Sequence, residues 1–138
     1  MIFVAAIKTT HLTTKAAPLL TQIPIVQGKI TQVMVFFPPG VNGLAHIKIL
    51  YGLVQLFPGN EQGDFAGGDV LINWVEDIDI TASPTVLTAV TWNDDDTYDH
   101  TITVHVVMTP SGFSTNITDI LAQVQAAQLA LSPGTPSG

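Results

Sequence analysis

Alternation constrains this chain more than any other feature. Ile102, Val104, Val106 and Met108 fall on every second position, with Thr101, Thr103 and His105 between them. A period of two is that of a strand with one face on a core and the other toward solvent. Ala45, Ile47, Ile49 and Tyr51 repeat the pattern against His46 and Lys48. In residues 29–37, Val33, Val35 and Phe37 alternate with Met34 and Phe36, so both faces are apolar and both are expected to be covered. Further strands are predicted over 2–8, 19–26, 69–75, 77–81, 85–92 and 98–109, and 45–57 reads as one long strand or two meeting at Gly52. Pro24 pushes its strand toward a sheet edge, and Pro38-Pro39-Gly40 and Ser83-Pro84 end strands. Residues 58–68 form a long loop, of the kind displayed for contact. Seven or eight short strands spaced by turn signals predict a mainly β fold, an antiparallel β-sandwich of jelly-roll type with a C-terminal α-helix.

That helix is predicted over 116–131, capped by Ser114 or Thr115 and stopped by Ser132-Pro133-Gly134. Ile117, Ile120, Val124, Ala127 and Leu131 recur at coiled-coil-like spacing. Two heptads do not hold together alone in water, so the seam packs either on the sandwich or on the same helix of a neighbour. The expected organisation is a strand and threonine-rich arm over 1–20, a core over 21–110, and helix and tail over 111–138.

Charge narrows the function. The 138 residues form one domain, of which only 11% are charged, against about a quarter in an ordinary soluble domain. There is no arginine, and Lys8, Lys15, Lys29 and Lys48 all precede the first acid, Glu61. Four dispersed lysines and a net charge of −7 do not make a nucleic-acid footprint. No cysteine is present for a disulfide, a thiolate nucleophile or a thiolate-bound zinc. No stretch approaches the roughly 20 apolar residues of a membrane span. The apolar start lacks a basic region before it and reads as a strand rather than a signal peptide. Neutral surface of this extent points to burial against other subunits. The expected contacts are Ile2 and Val4, in a segment able to join a neighbour's sheet edge, and the C-terminal seam.

Few residues suggest chemistry. Asn93, Asp95, Thr97 and Asp99 fall at alternate positions, a spacing that can wrap oxygens around calcium. The same run also reads as a hairpin turn in which Asx side chains cap backbone amides. Glu76, Asp77 and Asp79 offer paired carboxylates for acid–base work, or simply a polar loop between two strands. His11, His46, His100 and His105 are scattered, although His46 and His105 occupy outward strand positions and could meet across a sheet. No Gly-x-Ser-x-Gly elbow and no glycine-rich phosphate loop before a helix occurs. Trp74, Trp92, Tyr51 and Tyr98 are candidates for a sugar platform or for the core. No catalytic residue and no cofactor is expected.

Three runs carry a family likeness: Val35-Phe36-Phe37-Pro38-Pro39-Gly40, Leu44-Ala45-His46-Ile47-Lys48-Ile49 and Gln55-Leu56-Phe57-Pro58-Gly59-Asn60. With the later stretch from Trp92 through Asp94, Asp95, Asp96 and His100 to Val104, they resemble small β-sandwich virion proteins of prokaryotic viruses. The resemblance implies a capsid decoration (cement) or minor capsid protein, commonly a homotrimer, bound to the major capsid protein in a virion assembled in the host cytoplasm. It brings no catalytic residues. Two other classes stay open on the residues alone. One is an extracellular carbohydrate-binding module using Trp74 or Trp92. The other is a cell-surface filament subunit joined by strand exchange through residues 1–9.

Overall fold

The computed structural model describes residues 1–60, 63–111 and 124–125. Among them lie β1 (Ile2–Thr9), β2 (Leu19–Pro24), β3 (Gly28–Phe37), β4 (Ala45–Tyr51), β5 (Val54–Phe57), β6 (Phe65–Ala66), β7 (Val70–Ile80), β8 (Val86–Asn93) and β9 (His100–Pro110). They form two antiparallel sheets, one in the order β1-β9-β3-β7 and one in the order β2-β8-β4-β5, with β6 also paired to β4. The chain is mainly β, as the alternation predicts.

Alternate side chains of the two sheets meet in one core, a sandwich-like arrangement. Val33, Val35, Phe37, Ile102, Val104 and Val106 come from the first sheet, and Ala45, Ile47, Ile49, Leu87 and Ala89 from the second. Each large aliphatic or aromatic side chain withdrawn from water in this way contributes about 1.5–3 kcal/mol. Opposing this is the conformational entropy lost on folding. Thr9 and Thr91 are also buried and share a 2.8 Å hydrogen bond between their hydroxyls, tying β1 of one sheet to β8 of the other.

Local residues explain most of the boundaries. Gly52, with φ of 60°, supplies the positive dihedral of a two-residue turn, so Tyr51 pairs with Val54 and the 45–57 segment becomes a hairpin. Pro24 ends β2, which lies at the edge of the second sheet.

The structure corrects several expectations. Strands over 69–75 and 77–81 are one strand, β7, because Glu76 and Asp77 continue the alternation instead of breaking it. The irregularity is taken up on the ladder, where the register of β3 shifts between Ile30 and Gln32. Residues 94–99 are no hairpin turn: β8 and β9 lie in different sheets, so the connection arches across the end of the molecule. The outer face of β3 is not covered by the described residues, since Phe36 is exposed. Ile2–Thr9 pair along their whole length with His100–Val107 of the same chain, making β1 an edge strand of the first sheet. The helix over 116–131 lies outside the described residues except at Val124 and Gln125, which are helical.

Gly28 opens β3 where β9 leaves the sheet. Its φ is +152°, and a Cβ there would collide with the Thr109 carbonyl oxygen and lie 2.8 Å from Pro110 Cα. Both obstacles are backbone, which cannot swing aside. We expect Gly28→Ala to lower unfolding stability by about 2–3 kcal/mol, measured by chemical denaturation. A loss below about 0.5 kcal/mol would show that the β3–β9 contact yields easily.

Candidate interaction surface

The acidic run after β8 is organised by its own backbone. Asn93 is fully buried. Its side-chain amide donates to the carbonyls of Thr9 (3.1 Å) and Tyr98 (3.0 Å), and its Oδ1 accepts from the amide of Asp95. Asp95 Oδ1 accepts from the amides of Thr97 and Tyr98, while Oδ2 meets His100 Nε2 at 2.8 Å. Asp99 Oδ1 accepts from the His11 amide and contacts its Nδ1, and Lys8 Nζ lies 3.7 Å from Oδ2. Thr97 Oγ1 donates to Asp96. Asn93, Asp95, Thr97 and Asp99, read from sequence as a calcium candidate, therefore spend their polar groups on capping and on histidines. Among the described residues no three acids or histidines are grouped to hold a metal ion.

Three histidines from three parts of the chain converge on this connection. His11 takes Asp99, His100 takes Asp95, and His46 lies between Asp94 (3.0 Å from Nε2) and Asp64 (2.5 Å from Nδ1). The ring of His46 stacks on Trp92 with centroids 5.1 Å apart, and Lys15 sits over the same indole. Because the two nitrogens of His46 point in different directions, its carboxylates cannot share one ion on that ring. Sequence reasoning missed this arrangement; partners up to 88 residues apart leave no signal in spacing. His46 and His105 do not meet, since they belong to different sheets.

Several other candidates are reassigned. Trp92 is buried and cannot serve as an exposed platform. Trp74 is half-buried and packs on Phe57 and Phe65 beside a groove of about 360 Å³ that Leu56, Ile72 and Glu76 also line. Tyr51 donates to the Ala82 carbonyl, and Tyr98 is exposed. Asp77 and Asp79 lie on β7, where both pair with Lys29, at 2.6 and 3.8 Å. Of the seam residues only Val124 is described; Ile117, Ile120, Ala127 and Leu131 lie outside the described residues.

Ile2 and Val4 belong to a surface that the registers assemble. On the outer side of the first sheet, one row across the strands is Ile2–Val107–Gln32–Val75. The next is Val4–His105–Met34–Asn73, and the third is Ala6–Thr103–Phe36–Leu71. None of these residues is a lysine, aspartate or glutamate, and most are apolar. Strand spacings make the patch about 400 Å², within the range of the largest, often functional, patch on a monomer. Val75 is 82% exposed, Val4 60% and Ile2 58%.

Compared with known proteins, the chain matches no family model and no curated sequence.

The carboxyls of Asp95 and Asp99 are both held below the ordinary value of 3.8. For Asp95 the main cause is the Thr97 amide, then the His100 side chain; for Asp99 it is the His11 side chain, then the His11 amide. A depressed carboxyl stabilises the fold above its unfolded pKa, and that stability is lost as pH falls through the folded value. We expect the thermal midpoint to fall below about pH 4, and to fall less steeply in Asp95→Asn/Asp99→Asn. Parallel curves would mean that neither carboxylate contributes. Asn93→Ala orphans the Tyr98 carbonyl and the Asp95 amide and removes a second bond from the Thr9 carbonyl, and should cost about 2–4 kcal/mol at pH 7, read by denaturant unfolding; a neutral result would contradict its bridging role.

Proposed function

We propose that this chain is a non-enzymatic structural subunit of a virus particle. In this reading it is a jelly-roll module that self-associates, a trimer being favoured, and stabilises a capsid by bridging copies of the major capsid protein. The observation that carries the proposal is the uncharged patch of three residue rows in the middle of the first sheet's outer face, flanked by Lys8 on one side and by Lys29, Asp77 and Asp79 on the other, on a chain with a net charge of −7. A solitary domain gains nothing by leaving such a face to water, whereas a subunit gains an interface free of desolvated charge.

The strand order supports the jelly-roll part. β1 pairs with β9, β2 with β8, β3 with β7, and β4 with β5 and β6. This nesting of first with last is what results when one long antiparallel hairpin is rolled into two sheets, with β5 and β6 sharing one strand position. Jelly rolls are recurrent in viral capsids and in lectins. The carbohydrate reading loses one of its two platform residues with the burial of Trp92. Strand exchange would require Ile2–Thr9 to leave their own sheet. Charge attraction adds little to docking, because Lys8 and Lys29 are already matched by acids.

Co-sedimentation with purified capsids of the virus encoding the chain tests the proposal. The wild type should pellet with particles. Phe36→Asp, which places a carboxylate in the middle of the face, should weaken binding about tenfold or more. Leu53→Asp, at the tip of the β4–β5 hairpin, should leave binding unchanged. A wild type that stays in the supernatant, or a Phe36→Asp variant that binds normally, contradicts the proposal.

A further inference from the structure

The two sheets expose four edges, and three of them carry devices that discourage pairing with another chain. On β7 the outward residues include Asp77 and Asp79; β2 ends in Pro24; and β5 and β6 are only four and two residues long. Charge, proline and shortness are the usual means of protecting an edge. β1 has none of them along most of its length: Ile2–Thr9 reads IFVAAIKT, with no acid, no proline and a single charge at Lys8.

The hydrogen bonding fixes which groups this edge offers. Met1 and Met108 exchange both backbone bonds, the N-terminal amine donating to the Met108 carbonyl (3.0 Å) and the Met108 amide to the Met1 carbonyl (2.7 Å). In an antiparallel ladder bonded pairs alternate with non-bonded ones. Residues 3, 5, 7 and 9 therefore turn their N–H and C=O groups toward β9, while Ile2, Val4, Ala6 and Lys8 turn theirs away from the sheet. Among the described residues those outward groups have no strand partner.

We infer that β1 is the edge by which a second copy of this chain docks, antiparallel and related by a two-fold axis. This rests on the self-association reading but gives it a two-fold contact in place of a three-fold one: two first sheets join into one sheet of eight strands, and their uncharged patches run together. Charge favours a copy as the occupant. The acids of the first sheet lie on β7, at the opposite edge, and Asp99 at the end of β1 is matched by Lys8 and His11. A pairing centred on Ala5 sets Lys8 opposite Ile2 of the partner, so no like charges face each other across the seam. Edge pairing alone buries less than the roughly 1,000 Å² of a tight interface, which makes the dimer concentration-dependent.

Amide exchange on the full wild-type chain, followed residue by residue by NMR, reads this directly. Between about 10 μM and about 1 mM protein, the amides of Val4 and Ala6 should slow about tenfold or more, while those of Phe3 and Ala5, already bonded to β9, stay unchanged. Sedimentation should show a dimer over the same range. Val4→Pro deletes only an outward N–H and should abolish dimer formation with the native circular dichroism retained; Ala6→Pro, which deletes the next outward N–H and likewise adds no charge to the face, is the second variant. Dimers sensitive to Leu71→Lys but indifferent to both proline variants would show face-to-face packing and overturn the inference. So would a trimer in which Val4 and Ala6 exchange freely, or a monomer at every concentration. A monomeric Val4→Pro that still pellets with capsids leaves the capsid-binding proposal standing. An intact dimer that ignores capsids removes that proposal and spares this one.

Discussion

Everything in the molecule depends on withdrawing one face of each strand from water. Val33, Val35, Phe37, Ile47, Ile49, Leu87, Ile102, Val104 and Val106 are fully buried between the two sheets. Their alternation fixes register, since slipping any strand by one residue would exchange its inner and outer faces. Register in turn determines which outer side chains become neighbours. The uncharged face is thus a consequence of core packing: once Val104 and Val106 point inward, His105 and Val107 must point outward, next to Val4 and Ile2.

The polar groups follow a second economy. Acids are kept where the chain itself can answer them, at one end of the molecule and along β7. The arching connection between β8 and β9 is held by Asn93 from within and by His11, His46 and His100 from three directions. Lys29 answers Asp77 and Asp79. Between these charges and Lys8, the three central rows on the outer side of the first sheet are neutral. A patch without charge, with Lys29, Asp77 and Asp79 paired at its margin, suits an assembly, where unpaired buried charge is costly.

Local chemistry made much of this legible in the sequence. The alternation around Ile47 and Ile102 located β4 and β9 and their inner faces, Gly52 marked the hairpin, and Pro24 marked an edge. Polar residues misled at Glu76 and Asp77, where a run of acids reads as a loop although it continues a strand facing solvent. Partnership at a distance was not legible. Nothing local tells that β8 and β9 part into different sheets, or that His11 reaches Asp99. The apolar outer positions Met34 and Phe36 were visible, but periodicity cannot say whether such a face is covered by its own chain or by another molecule.

The central claim is that the outer face of the first sheet is shielded from water when the protein is at work. Hydroxyl-radical footprinting of the assembled particle against the isolated chain measures that shielding at single side chains. Met34, Phe36 and Leu71 should lose most of their reactivity on assembly, with Tyr98 unchanged. Equal labelling of Met34 and Phe36 in both states would contradict the account.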